Sequence, residues 1–106
     1  MSVYVLVDIE VTDSEKYREY ISEITPSVKR YGGRYLVRGG SPETLDGDWR
    51  STRMVVMEFG SRTEAKAWLN DKSLASIHAM RRENSSRCNM ILCDGYTHPS
   101  DPAQSL

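Results

Sequence analysis

Charged side chains interrupt stretches of the sequence that otherwise have the composition of buried β-strands. Asp8 lies in an apolar run near the N-terminus, Arg34 and Arg38 flank the run Tyr-Leu-Val, and Arg53 and Glu58 flank Met-Val-Val-Met. A charged group on a strand that faces a protein core must find a counter-charge, a ligand or water, because its burial is otherwise costly. These charged residues are therefore the first candidates for a functional site.

The chemistry that these residue types support is the binding of an organic acid and the transfer of a proton. Arginine pairs can hold a carboxylate or an enolate through paired hydrogen bonds. A carboxyl group that burial desolvates has a raised pKa and can pass a proton to or from a bound molecule. The candidate catalytic residues are accordingly Asp8 and Glu58, and the candidate substrate-binding residues are Arg38, Arg53, Tyr4 and Trp49.

The strand pattern predicts where these residues lie. Arg34 and Arg38 are four residues apart in one strand, so we expect both side chains on the same face of the sheet. If strands one and three are parallel neighbours, Asp8 and Glu58 lie near one edge together with Arg34. Arg38 then approaches Arg53 at the opposite edge, without an acidic neighbour.

The same charges also have a structural interpretation, which the sequence leaves open. They could form ion pairs inside the fold or across the contact between two copies, since buried charges have to be paired in either case. Trp49 lies in a polar loop, where a tryptophan needs something to cover it. Tyr4 alternates with valines, and its side chain could line a pocket or make a purely structural contact.

The histidines and cysteines predict no metal or cofactor. His78 lies in a predicted helix and His98 lies near the C-terminus. Each histidine could supply only one ligand to a metal or haem, and the sequence has no cluster of further ligands. Cys88 and Cys93 are five residues apart on one predicted strand, so they point to opposite faces and cannot form a disulfide. Free cysteines are typical of a reducing cytoplasm.

Composition excludes several classes of function. The chain has 106 residues, enough for one domain, and its 14 basic and 15 acidic side chains give a formal net charge of −1. That balance gives no electrostatic basis for binding nucleic acid or a membrane surface. No apolar run approaches the length of a membrane span, and the N-terminus lacks the pattern of a signal peptide. We expect a cytoplasmic protein.

Hydrophobic periodicity predicts the order strand, helix, strand, strand, helix, strand. The predicted strands span residues 3–11, 34–38, 53–59 and 88–93. This order is that of the ferredoxin-like α+β fold, in which two helical segments cover one face of an antiparallel sheet with strand order 4-1-3-2. We expect a single domain over residues 1–96 and a C-terminal tail over residues 97–106.

The two helical regions begin at capping residues. Thr12 or Asp13 caps the first helix, in which Pro26 should introduce a kink or start a second short helix. Ser61–Glu64 forms a capping box for the second, which should break near residues 70–71 and continue to about residue 83.

The sheet face that the helices leave open should be apolar. Each strand carries apolar residues at both odd and even positions, which face opposite sides of the sheet, as at Val5 and Leu6 or at Ile91 and Leu92. Strands that are apolar on both sides are typical of sheets that are buried on both faces. We therefore expect a homodimer through the open face; the alternative is a monomer with a partly apolar exposed sheet.

Several segments combine into a specific pattern. They are Tyr4-x-Val-x-Asp8, Tyr17 and Tyr20, the run Tyr31–Gly39, the turn Gly47–Trp49 with Arg53, Val55–Phe59 and Ala67–Trp68. Over about residues 3–95 the chain closely resembles a bacterial family of unknown function, domain of unknown function 1330. The resemblance implies a dimeric α+β barrel, formed by two ferredoxin-like sheets packed face to face, and no known reaction.

The leading functional hypothesis is a cofactor-independent enzyme that acts on a small acidic or enolisable molecule. Asp8 or Glu58 would transfer the proton, and Arg38 would anchor the ligand. The superfamily that the resemblance implies includes cofactor-free monooxygenases, lactone isomerases and haem-dependent members, but a shared fold does not determine a function. A non-catalytic ligand-binding or assembly module is the alternative.

Overall fold

The computed structural model describes residues 2–96, and the predicted tail 97–106, with His98, lies outside the described residues. The elements are β1 (Val3–Val11), α1 (Ser14–Arg30), β2 (Arg34–Gly39), β3 (Met54–Phe59), α2 (Arg62–Asn70), a 3₁₀ turn (Lys72–Leu74), α3 (Ala75–Glu83) and β4 (Ser85–Asp94). This is the predicted order of strands and helical regions, with the second helical region divided in two by the 3₁₀ turn.

The four strands form one antiparallel sheet in the order β2-β3-β1-β4, as predicted. The helices pack on one face, where β1 contributes Val3, Val5, Val7 and Ile9 to the core. Tyr4 and Leu6 alternate with these residues and therefore point to the other face. That face, here called the open face, carries no helix in the described part of the chain.

The helices begin at the predicted capping residues. The Asp13 side chain accepts a hydrogen bond from the Lys16 amide, and the Ser61 side chain accepts one from the Glu64 amide. α1 runs through Pro26 as one helix, so no second short helix starts there. Pro26 lies on the exposed side of α1, where water can satisfy the carbonyl group that proline leaves without a donor. Among residues 2–96, no helix is long and apolar enough to cross a membrane.

The strand register separates two residues that were expected together. β1 and β3 are antiparallel, with Tyr4 opposite Glu58 and Asp8 opposite Met54. The condition of a parallel β1–β3 pair, on which the joint placement of Asp8 and Glu58 rested, is not met. α1 carries the chain back to a β2 that runs parallel to β1, and β3 pairs between them in the opposite direction. Asp8 and Glu58 therefore lie at opposite ends of the β1–β3 pair.

A β-bulge in β2 puts its two arginines on opposite faces of the sheet. The pairing with β3 shifts by one residue after Tyr35, so Arg34 lies opposite Glu58 and Arg38 lies opposite Val55. Glu58 is on the open face, whereas Val55 belongs to the core beneath the helices. The inserted residue turns Arg38 toward α1, and the prediction that both arginines share one face is wrong.

Candidate functional site

A cleft of about 610 Å³ opens between α1 and the adjoining ends of β2 and β3. Its helical wall includes Tyr17 and Ile21, and its sheet wall includes Arg38 and Arg53. Directly after Arg38, Gly39 and Gly40 adopt φ angles of 100° and 71°, which glycine tolerates and other residues rarely adopt. The chain can therefore leave β2 abruptly and form the rim of the cleft.

Arg38 and Arg53 in this cleft come from neighbouring strands, which confirms the predicted approach of Arg38 to Arg53, and a third arginine of the lining, Arg18, lies in α1. The Arg38 guanidinium lies 4.0 Å from the ring centre of Tyr35 and donates a hydrogen bond to Oγ1 of Thr25 in α1. The Arg53 guanidinium lies 5.3 Å from the ring centre of Tyr17, and its buried Nε has no hydrogen-bond partner among the described residues. Aromatic stacking holds both groups while leaving N–H groups free to bind an anion.

Within residues 2–96, no carboxylate balances these arginines. The ion pairs in this part of the chain are Arg34–Glu58, Arg62–Asp94, Arg87–Asp8 and Arg87–Glu10. Arg38 and Arg53 take part in none of them, and no acidic residue lines the cleft. The cleft is therefore a site of positive potential, suited to a small anion.

A smaller space of about 20 Å³, here called the inner chamber, lies beside the cleft among side chains of the core. Arg38, Arg53 and Tyr17 line both spaces, so the chamber adjoins the cleft. Its other polar lining residues are Tyr20, Tyr35 and Arg81. Burial raises the pKa of Tyr20 to about 12 and also raises the pKa of Tyr35. Both phenols are therefore protonated at neutral pH and able to donate hydrogen bonds.

Asp8 lies at one end of the open face, outside the cleft. Its carboxylate accepts hydrogen bonds from Nε1 of Trp49 at 3.0 Å, Oγ of Ser51 at 2.6 Å and Nη2 of Arg87 at 3.2 Å. Burial alone would raise the pKa of Asp8, but the three donors and the charge of Arg87 together lower it. The expectation of a raised pKa for Asp8 is therefore wrong, and its carboxyl group is ionised at neutral pH. Its hydrogen bonds to Trp49 and Ser51 hold the β2–β3 loop against the sheet.

Glu58 and Tyr4 lie at the other end of the open face. Glu58 forms the predicted ion pair with Arg34, with 2.6 Å between Oε1 and Nε, and accepts a 3.4 Å hydrogen bond from the Tyr4 hydroxyl. The hydrogen bond from Arg34 is the largest cause that lowers the pKa of Glu58, so a raised pKa is wrong here too. The six candidates thus occupy three places: Arg38 and Arg53 the cleft, Asp8 and Trp49 one end of the open face, and Glu58 and Tyr4 the other.

A buried network that was not among the sequence predictions borders the inner chamber. Arg81, 4% exposed, donates to Nδ1 of His78 at 2.9 Å and to the Tyr20 hydroxyl at 3.2 Å. Because arginine can only donate, His78 is neutral with its proton on Nε2, which donates to the Trp68 carbonyl at 3.2 Å. The available sequence signal was an arginine in helical register with Leu74 and His78, on the buried side of α3.

Metal ligands and paired cysteines do not contribute to the site. Within residues 2–96, no group of three or more His, Cys, Asp and Glu side chains is placed to hold a metal ion. Cys88 and Cys93 are free, and their pairing with Ile9 and Tyr4 of β1 puts them on opposite faces of the sheet, as predicted.

Comparison with known proteins identifies a family. Residues 2–96 match the family described as Domain of unknown function (DUF1330). No curated protein sequence matches the chain.

Similar solved structures establish the ferredoxin-like fold. The RPA0582 protein of unknown function from Rhodopseudomonas palustris is 16% identical with a TM-score of 0.77, over 91% of this chain and 83% of that chain. SnoaB from Streptomyces nogalater, described as a cofactor-independent oxygenase, is 11% identical with a TM-score of 0.62, over 94% and 98%. A dimeric ferredoxin-like protein of unknown function from Jannaschia sp. CCS1 is 9% identical with a TM-score of 0.59, over 90% and 100%. At such low sequence identities, the structural similarity supports a shared fold but not a shared function.

The ring of His78 should titrate below pH 6.5. Burial first, and then the charges of Arg81 and Arg82, lower the pKa of His78 below its ordinary value of 6.5, against an opposing hydrogen bond to Trp68. As pH falls below 6.5 the unfolded chain binds a proton that the folded chain does not. This histidine therefore contributes stability that is complete above pH 6.5 and is lost as the pH falls toward the folded pKa.

NMR titration in a His98→Asn variant, which leaves a single histidine, measures the ring pKa of His78. A value at or above 6.5 would contradict the neutral network.

Proposed function

We propose that the chain, which belongs to the DUF1330 family, binds a small organic anion in the cleft between α1 and the β2–β3 edge. The observation that carries the proposal is that Arg38 and Arg53 line one space without a carboxylate partner among residues 2–96. Arg34 gives the contrast, because it lies four residues earlier in the same strand and is neutralised by Glu58.

An organic acid would supply what the cleft lacks. A carboxylate or enolate oxygen could accept a hydrogen bond from the buried Nε of Arg53, which otherwise has no acceptor among the described residues. Hydrogen bonds to charged groups contribute about 1.5–3 kcal/mol each, more than bonds between neutral groups. Val11 and Ile21 in the same lining would contact the hydrocarbon part of the ligand. These contacts favour an organic acid over an inorganic ion.

The cleft would also stabilise the deprotonated form of an enolisable ligand, without a bound cofactor. Guanidinium groups favour an enolate or phenolate over its neutral acid, as they favour a carboxylate over a carboxylic acid. SnoaB is described as a cofactor-independent oxygenase, and chemistry without a cofactor requires that the substrate itself reach a reactive form. Since Asp8 and Glu58 lie outside the cleft, the ligand's proton would pass to solvent.

Binding without turnover is the second candidate function. It is favoured by the lack of a carboxylate base in the lining formed by residues 2–96. Proton exchange separates the two candidates: an enolate-stabilising enzyme accelerates the replacement of hydrogen by deuterium next to the carbonyl of 4-oxopentanoate, and a binding module does not. NMR in deuterated buffer, with Arg38→Met as the control, measures this rate.

Substitution of Arg38 by methionine should weaken the binding of small carboxylates by about tenfold or more, because charge-assisted hydrogen bonds to the anion are lost. Titration calorimetry with benzoate and with pentanoate gives the dissociation constants. Arg34→Met is the matched control, since Arg34 lies in the same strand, faces the opposite side and is paired with Glu58. Its affinities should equal those of the unsubstituted protein.

Two results would overturn the anion-binding proposal. One is an equal loss of affinity in the Arg34 and Arg38 variants, which would indicate a non-specific effect of charge. The other is the lack of measurable binding by the unsubstituted protein to a panel of small carboxylates and phenols.

The open face of the sheet would pack against a second copy of the chain. Leu6 of β1 pairs with Val56 on one side and with Ile91 on the other, which gives an apolar strip across three strands. Ile91 is 61% exposed. Contiguous exposed apolar surface is typical of an interface, and the similar Jannaschia protein is described as dimeric.

Light scattering coupled to size exclusion should give a mass twice that of the 12.1 kDa chain. Ile91→Lys should yield the monomer, because each interface would then bury two lysines against apolar strands. Leu69→Lys is the control, since Leu69 is 38% exposed but lies on α2, away from the open face. A monomeric unsubstituted protein would rule out the dimer.

A further inference from the structure

Arg81 is a buried cation without a carboxylate partner in the described part of the chain. It is 4% exposed and takes part in none of the ion pairs among residues 2–96. Its Nη1 donates to Tyr20 and to His78, and its buried Nε has no partner among those residues. Such a charge is costly, because burial removes water and no opposite charge replaces it.

The groups around Arg81 do not neutralise it. His78 is neutral, as its hydrogen bonds require. The Tyr20 hydroxyl accepts a hydrogen bond from Arg81, and its own proton has no acceptor among the described residues. The Arg81 guanidinium stays charged, because an arginine side chain is not deprotonated in a protein. One cation and one hydroxyl proton therefore remain unsatisfied at the same place.

That place is the inner chamber of the cleft. Tyr20 and Arg81 line the chamber, and Arg38 and Arg53 line both the chamber and the outer cleft. The chamber measures about 20 Å³, which is room for a single group the size of a water molecule. A whole carboxylate is too large for this space, whereas one oxygen atom fits it.

We propose that the cleft binds acids that carry a second oxygen, with the carboxylate on Arg38 and Arg53 and the second oxygen in the chamber on Arg81 and Tyr20. This inference rests on the proposed function, which it narrows to keto acids and hydroxy-aromatic acids. The keto or phenol oxygen would accept hydrogen bonds from the Arg81 guanidinium and the Tyr20 hydroxyl. An enolate or phenolate formed there would place its negative charge beside the buried cation.

The stability of an Arg81→Met variant distinguishes a structural role of Arg81 from a role in ligand binding. If Arg81 serves only the fold, Arg81→Met removes two buried hydrogen bonds and lowers the midpoint of urea unfolding. If Arg81 serves the ligand, methionine fills the same volume without an uncompensated charge, and the midpoint stays equal or rises. Arg82→Met is the matched control, because Arg82 is the exposed neighbour of Arg81 in α3.

Paired ligands test the second oxygen directly. 4-Oxopentanoate and 4-hydroxybenzoate carry the extra oxygen that pentanoate and benzoate lack. In titration calorimetry the unsubstituted protein and Arg82→Met should bind at least one oxygenated member about tenfold or more tightly than its partner. Arg81→Met should bind both members equally, at the affinity of the simpler acid. Arg38→Met should weaken both members and keep their ratio.

The outcomes separate this inference from the function on which it rests. If no pair is distinguished by the unsubstituted protein while Arg38→Met weakens every acid, the second-oxygen site is wrong and the anion cleft stands. If no acid binds, or if Arg38→Met binds as well as the unsubstituted protein, both are wrong. Should Arg81→Met not fold, Tyr20→Phe removes one hydroxyl donor from the chamber; an unchanged ratio in that variant then overturns the inference.

Discussion

The β-bulge after Tyr35 determines which side chains line the cleft. In a regular strand Arg38 would share the open face with Arg34 and Glu58, and the space beneath α1 would hold one arginine fewer. Because one residue is inserted, Arg38 points to the helix side and lies beside Arg53, while Arg34 stays with Glu58. β2 is an edge strand, where a bulge disturbs the pairing with a single neighbour.

Charged side chains are paired on the open face of the sheet and, among the described residues, unpaired around the cleft on the helix side. On the open face each carboxylate has an arginine: Asp8 pairs with Arg87 to hold the β2–β3 loop, and Glu58 pairs with Arg34. On the helix side, guanidinium groups gather around one cleft and its chamber without a carboxylate from residues 2–96. Charges that only support a fold are normally paired, because an unpaired buried charge is destabilising. Of the unpaired arginines among residues 2–96, Arg81 is buried, and the proposed ligand would supply the anion that this charge lacks.

The sequence predicted the fold better than the site, for physical reasons. The alternating valines of β1 and the capping residues Asp13 and Ser61 are local signals, and they correctly gave the order of the elements. The positions of Asp8, Arg38 and their neighbours depend on strand direction and on a one-residue shift, which alternation within a single strand does not contain. Arg81 was overlooked because arginines on helices usually reach water; its burial follows from the packing of α3 against α1.

The measurement that tests the central claim most directly is an NMR titration of the arginine Nε–H groups with benzoate. The Nε of Arg53 is buried without a hydrogen-bond partner among residues 2–96, whereas the Nε of Arg34 is bonded to Glu58. Binding in the cleft predicts a saturable shift of the Arg53 signal toward the position of a hydrogen-bonded group, with the Arg34 signal unchanged. An unchanged Arg53 signal, or shifts confined to exposed arginines, would contradict the account.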